Sequence, residues 1–166
     1  LAPDTEKLHQ AQQFLNPFSS VILSSVKENA TAHASYAPFI VNNDCFYVYV
    51  SGLAEHSRTL KNGSACLFFI EEEKQAKNIF ARTRISIDCQ VLPIDPEQSH
   101  YQSLLDKFEQ RHGTTVKLLR ALPDFILFEL RPLSASFVTG FGATYDISHP
   151  LPAIMRSESA PPVPGF

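Results

Sequence analysis

Short apolar runs of strand composition, separated by turns, are what most limits the fold open to this chain. Residues 45–50 read CFYVYV, 65–70 read ACLFFI and 125–130 read FILFEL. Each is aromatic or β-branched and too short for a core helix. Residues 19–26 and 31–41 flank the turn Lys27-Glu28-Asn29-Ala30 and read as a hairpin. Asn42-Asn43-Asp44 is a second turn. Residues 82–92 alternate as a half-buried strand does. Residues 134–141 form a last strand, separated from 125–130 by Arg131-Pro132-Leu133. The segment 65–70 is apolar along its whole length, so it is expected to be the strand covered on both faces.

Helical periodicity is confined to the gaps. Leu8, Ala11, Gln12 and Leu15 mark a surface helix over 5–14. Residues 53–61 form a short helix ended by Asn62-Gly63, with Leu53, Ala54 and Leu60 as its buried face. Glu71-Glu72-Glu73 opens another over 74–81, with acids where the helix dipole favours them. Tyr101, Leu104, Leu105 and Phe108 share one face of a helix over 96–112. Gly113 breaks it, and 115–122 adds one or two turns.

Strands and hairpins dominate without βαβ alternation. The expected class is mainly β with flanking helices: a six- or seven-stranded antiparallel barrel, not a Rossmann-type sheet. One domain is expected over 1–150. Residues 151–166 form a proline-rich tail, extended or disordered unless a partner holds it; five of the 12 prolines follow His149.

With 44% hydrophobic residues in 166, the core needs no disulfide or metal. A net charge of -3 argues against nucleic acid and acidic membrane surfaces as partners. No apolar run approaches a membrane span of about 20 residues, and no signal peptide is recognised. Cys45, Cys66 and Cys89 are odd in number and form no CxxC, so they are expected to be reduced core residues of a cytoplasmic protein.

Residues 51–60, SGLAEHSRTL, run from a strand into a helix and deliver His56 and Arg58 to its first turns. That segment is either a solvated helix face or an anion site with a titratable neighbour. Arg82 and Arg84 share a strand face around Thr83: either a salt-bridge cluster with Glu71–Glu73 or an anion clamp. Asp124, between Pro123 and Phe125, is either a turn residue or the carboxylate that orients a histidine. Gly140-Phe141-Gly142 suits a rim bulge or close backbone approach to a flat ligand. His9, His33, His100, His112 and His149 show no metal-ligand spacing.

Four stretches together carry a family resemblance: SYAPFI at 35–40, LAEHSRTL at 53–60, EEEKQAKNIFARTRISI at 71–87, and DFILFEL through SFVTGFGATY at 124–145. In order and spacing, from about residue 18 to 147, they resemble haem-utilisation proteins of the HugZ/HutZ type. That type lies within the pyridoxamine 5'-phosphate oxidase-like, FMN-binding split-barrel superfamily. The resemblance implies a six-stranded split β-barrel, a homodimer with ligand sites at its interface, and haem as cofactor. It implies O₂-dependent porphyrin opening with iron release, driven by a reductant or electron-donor protein. His56 and Asp124 stand where the family has a histidine and an aspartate near haem. Gly140, Phe141 and Gly142 stand at its glycine-containing strand end.

On that reading Tyr36, Phe39 and Phe141 would cover the porphyrin, and Arg58, Arg82 or Arg84 would meet its propionates. A His56–Asp124 pair would tune proton delivery. The family's iron ligand comes from a C-terminal extension, and His149, just before the tail, is the last histidine of the sequence. The alternatives are an FMN-binding oxidoreductase and a non-catalytic haem or flavin carrier. Flavin-using relatives hold the phosphate with Arg and Lys at positions that here read Ser35 and His56.

Overall fold

The strands close on themselves. A computed structural model describes residues 5–147. It contains β1 (Ser20–Val26), β2 (Ala32–Asn42), β3 (Cys45–Ser51), β4 (Ser64–Ile70), β5 (Arg84–Pro93), β6 (Phe125–Gly140) and β7 (Ala143–Ile147). The order is β3-β2-β1-β4-β5-β6-β7, all neighbours antiparallel, and β3 also pairs with β6 from Phe46↔Leu130 to Ser51↔Phe125. Six strands thus form a closed antiparallel barrel, and β7 extends the far half of β6. Closure removes the unpaired edges that an open sheet would present.

The two segments 125–130 and 134–141 are one strand, β6, of 16 residues. Pro132 does not break it, because the register with β5 shifts between Asp88 and Cys89. Cys89 faces Pro132 and Asp88 faces Ser134, which leaves Leu133 unpaired in a bulge. A proline without an N–H is tolerated at such an irregularity.

One core fills the barrel. Leu23, Val48, Leu67, Ile85, Ile87, Phe128 and Phe137 are essentially inaccessible there, each worth about 1.5–3 kcal/mol of apolar burial. Phe39, Phe46 and Phe69 pack with ring centroids 5.5–5.9 Å apart. Helix α1 (Thr5–Leu15) adds Leu8 and Ala11, and its Phe14 meets Phe18 and Phe137. Helices α2 (Glu55–Leu60), α3 (Tyr101–His112) and α4 (Thr114–Arg120) complete the described chain.

A second core lies outside the barrel, where Leu104, Leu105, Phe108 and Val116 of α3 and α4 cover Tyr47, Tyr49 and Leu127. The strand buried on both faces is therefore β3. In β4 the inward Ala65, Leu67 and Phe69 are buried, while Cys66, Phe68 and Ile70 are half-exposed. Residues 74–81 form two single 3₁₀ turns, Glu73–Gln75 and Ile79–Ala81, with no buried residue. The side chain of Asn78 takes the Phe80 N–H at 3.0 Å and competes with helical bonding. Asp95 does the same for Glu97 at 2.9 Å, so α3 starts at Tyr101 and not at residue 96.

Candidate functional site

The corner from β3 into α2 is built on Ser51 and Gly52. The Gly52 N–H donates to the Asp124 carbonyl at 2.6 Å. A β-carbon on residue 52 would lie 2.6 Å from that oxygen, so only glycine allows the approach. Ser51 Oγ donates to Asp124 Oδ2 at 2.6 Å and accepts the Leu53 N–H at 3.3 Å. Asp124 is thus fixed to the turn that starts α2. It is bonded to Ser51 and not to His56; the expected His56–Asp124 contact is not made within this chain.

Helix α2 is held by hydroxyls more than by apolar contacts. Its buried residues are Ser57, Thr59 and Leu60, whereas Leu53 is 77% exposed, against expectation. Ser57 Oγ donates to the Ser51 carbonyl, Ser25 Oγ to Thr59 Oγ1 at 2.7 Å, and Thr59 Oγ1 to the His56 carbonyl at 3.0 Å. This anchorage leaves His56 half-buried beside the β2 end that carries His33. Burial first, and the neighbouring His33 second, hold the His56 ring below the usual histidine pKa, so it is neutral near pH 7. On β2, Ser35 Oγ is buried with no hydrogen-bond partner among the described residues.

Arg58 faces outward and pairs with Glu55 at 3.3 Å. Both line an open polar cleft of about 350 Å³, together with Lys27, Glu28, Asn29, Thr59 and Asn62. Arg82 and Arg84 are engaged otherwise. Two guanidinium nitrogens of Arg82 donate to the Glu71 carbonyl, and Arg84 donates to the Arg82 carbonyl at 3.0 Å. The Glu71 carboxylate accepts the Thr83 N–H at 3.0 Å. The expected ion-pair cluster is replaced by side chain–backbone bonds that close the loop between β4 and β5.

Tyr36 is 68% exposed on the outer wall, directly across from Ile22 on β1, with Val26 exposed on the same face. Phe39, expected beside the porphyrin, is buried inside the barrel. Gly140-Phe141-Gly142 is the tip of the β6–β7 hairpin. Gly140 pairs with Ala143, Gly142 has φ 70°, and Phe141 is 80% exposed. His149 and residues 151–166 lie outside the described residues, among which no group of three or more His, Cys, Asp or Glu is gathered as for a metal.

The candidates fall into two groups. His56, Arg58 and Asp124 lie at the end of the barrel where β1 finishes and β6 begins. Arg82, Arg84 and Gly140–Gly142 lie at the other end, since Arg84 pairs with both Ile70 and Val138. Seven-residue β1 alone separates the ends by about 20 Å. Ser51, Gly52 and Lys27 were not legible as site residues, and Ser35, placed by the resemblance at a flavin-phosphate position, was not legible as a buried hydroxyl without a partner among the described residues. The one hint was a Ser-Gly pair at a strand end.

A closed six-stranded antiparallel barrel with this corner defines a protein class. The family model described as pyridoxamine 5'-phosphate oxidase matches residues 8–139, and the chain belongs to that family. Its branch is that of HutZ. The chain is 31% identical over 149 residues to the heme oxygenase HutZ of Vibrio cholerae, covering 89% of this chain and 81% of that protein. A crystal structure of Vibrio cholerae HutZ, described there as a heme storage protein, superposes with a TM-score of 0.68 at 28% identity, over 76% of this chain and 88% of that one. Campylobacter jejuni ChuZ gives 0.78 at 27% identity, over 90% of this chain and 62% of that one. No helix among the described residues is long and apolar enough to cross a membrane.

Proposed function

We propose that the protein binds haem and, given O₂ and a reductant or electron-donor protein, opens the porphyrin and releases iron, acting as a homodimer. The observation that carries the dimeric site is the separation of the candidate residues onto opposite ends of one barrel. One flat ligand reaches both groups only if a second copy supplies one of them. Tyr36, Ile22 and Val26 form an apolar outer face for that second copy. The relatives' names, heme oxygenase and heme storage protein, support haem as the ligand.

The residues fit haem better than FMN. A phosphate dianion needs fixed cations or several donors. Ser35 and His56, at the flavin phosphate positions, offer a hydroxyl and a neutral imidazole, and Arg82 and Arg84 are bonded to backbone carbonyls. Haem asks instead for apolar contact and a cation at its rim, which Tyr36, Phe141 and Arg58 supply from exposed positions. His56 would move protons, Asp124 would hold an N–H or O–H donor, and His149 is the proposed iron ligand. When bound, haem supplies the iron chemistry that activates O₂.

Titration of the purified protein with hemin tests this reading. A Soret band that shifts on binding, then decays under ascorbate and air with iron captured by a ferrous chelator, is expected. No Soret shift overturns haem binding. A stable Soret band under ascorbate makes the protein a carrier, the function that storage implies. A yellow preparation with flavin absorbance would favour the FMN alternative.

A further inference from the structure

Ser51 lies where five hydrogen bonds meet. Its carbonyl accepts from Ser57 Oγ and from the Ala54 N–H at 3.2 Å, its hydroxyl accepts the Leu53 N–H, that hydroxyl donates to Asp124 Oδ2, and the adjacent Gly52 N–H holds the Asp124 carbonyl. A serine hydroxyl has one proton. With a lone pair turned to Leu53, that proton is aimed at Oδ2. Asp124 is therefore clamped at main chain and side chain, and only Oδ1 is left to face a donor; no described residue bonds to it.

We infer that Ser51 is a positioning residue: it turns Asp124 so that Oδ1 alone is presented to the ligand side of the site. This rests on the haem reading above. Asp124 as a bare turn residue would need only the Gly52 bond, which fixes the chain direction. The hydroxyl bond adds control over the carboxylate rotation; the same hydroxyl also accepts the Leu53 N–H at the start of α2, while the chain direction at the corner is held by the Gly52 bond and the β3–β6 ladder.

The test uses the full chain loaded with hemin and four variants: Ser51→Ala, Ser51→Thr, Asp124→Asn, and Ser51→Ala with Asp124→Asn. The readouts are the Soret maximum and the rate of hemin loss to excess apomyoglobin. Both exist whether or not the haem is degraded. Ser51→Ala is expected to speed hemin loss about tenfold, the scale of one hydrogen bond to a charged group, and to move the Soret maximum as Asp124→Asn does. The double variant is expected to match Asp124→Asn, and Ser51→Thr, which keeps the hydroxyl, to return to within about twofold of the parent. A Ser51→Ala protein that behaves like the parent overturns the inference. So does a double variant in which the two effects add, because Ser51 then acts other than through Asp124. A folded Ser51→Thr protein that fails to recover also overturns it. If the parent takes up no hemin, the haem reading falls and this inference with it; hemin uptake without coupling removes the role of Ser51 alone.

Discussion

Gly52 and Asp124 are in backbone contact, N–H to carbonyl at 2.6 Å, with no room for a side chain between them. This contact joins the end of β3 to the start of β6 and sets where α2 begins. Gly52→Ala drives a β-carbon onto a backbone oxygen that no rotamer change can move. A loss of about 2–4 kcal/mol in urea unfolding is expected, with hemin uptake weakened in whatever fraction remains folded. Wild-type stability for that variant would refute the close approach of residue 52 to the Asp124 carbonyl.

The outer wall is expected to be buried in the dimer. Ile22 and Tyr36 are cross-strand partners pointing away from the core, so a charge there leaves the barrel intact. Ile22→Lys or Tyr36→Glu should give a monomer by light scattering, with an unchanged circular dichroism spectrum and hemin affinity reduced at least about tenfold. A hemin-competent monomer would refute a site shared between copies.

Arg58 and Arg82 should separate cleanly. Arg58 is exposed and paired only with Glu55 across a single turn, so Arg58→Ala should leave the melting midpoint within error and raise the hemin Kd about three- to tenfold. Arg82 holds the Glu71 carbonyl, so Arg82→Ala should lower the melting midpoint more than it changes Kd. The reverse pattern would exchange their roles.

Stability should fall on mild acidification. His112 Nε2–H donates to the Phe39 carbonyl at 2.8 Å, and burial, with Arg111 adding to it, holds its pKa below the usual value; His56 is lowered likewise. The unfolded chain then binds these protons first. Stability is complete above the unfolded histidine pKa of about 6.5 and declines as the pH falls from there through the lowered folded values. Denaturant midpoints between pH 7.5 and 5 measure this. His112→Gln, which keeps a donor for the carbonyl, should flatten the decline; an unchanged slope would place its origin elsewhere.

Tyr47 tests the interior under α3. Its hydroxyl donates to the nearly buried Glu129 at 2.7 Å, and Arg131 donates to the other carboxylate oxygen. Burial, then the Glu129 bond, push the phenol well above its ordinary pKa. Tyr47→Phe removes one bond to a buried carboxylate, and a loss of about 1–3 kcal/mol in denaturant unfolding is expected. A neutral result would mean that water replaces the hydroxyl.

Much of the site was legible only as a list of residues. The runs at 45–50, 65–70 and 125–130 announced strands because their composition suits nothing else of that length. Which run is covered twice was not legible. ACLFFI in β4 and CFYVYV in β3 are equally apolar, and the choice depends on where α3 and α4 settle, a contact between distant segments. Pro132 read as a strand break because sequence shows the missing N–H but not the β5 bulge that makes its absence harmless. Leu53 read as buried because helical spacing permits it; the hydroxyls of Ser57 and Thr59 took the inner face because Ser25 and the Ser51 carbonyl waited there as partners.

The chain by itself determined that hairpins would close an antiparallel barrel, since period-2 patterning and turn residues act over a few neighbours. It also determined the family, through motifs recurring in order. Tertiary structure alone decided that Asp124 belongs to Ser51 and Gly52, that burial and the neighbouring His33 lower the His56 pKa, and that the candidate residues stand at opposite barrel ends. Those facts come from burial and from pairings between residues far apart in sequence, and neither exists until the sheet has closed.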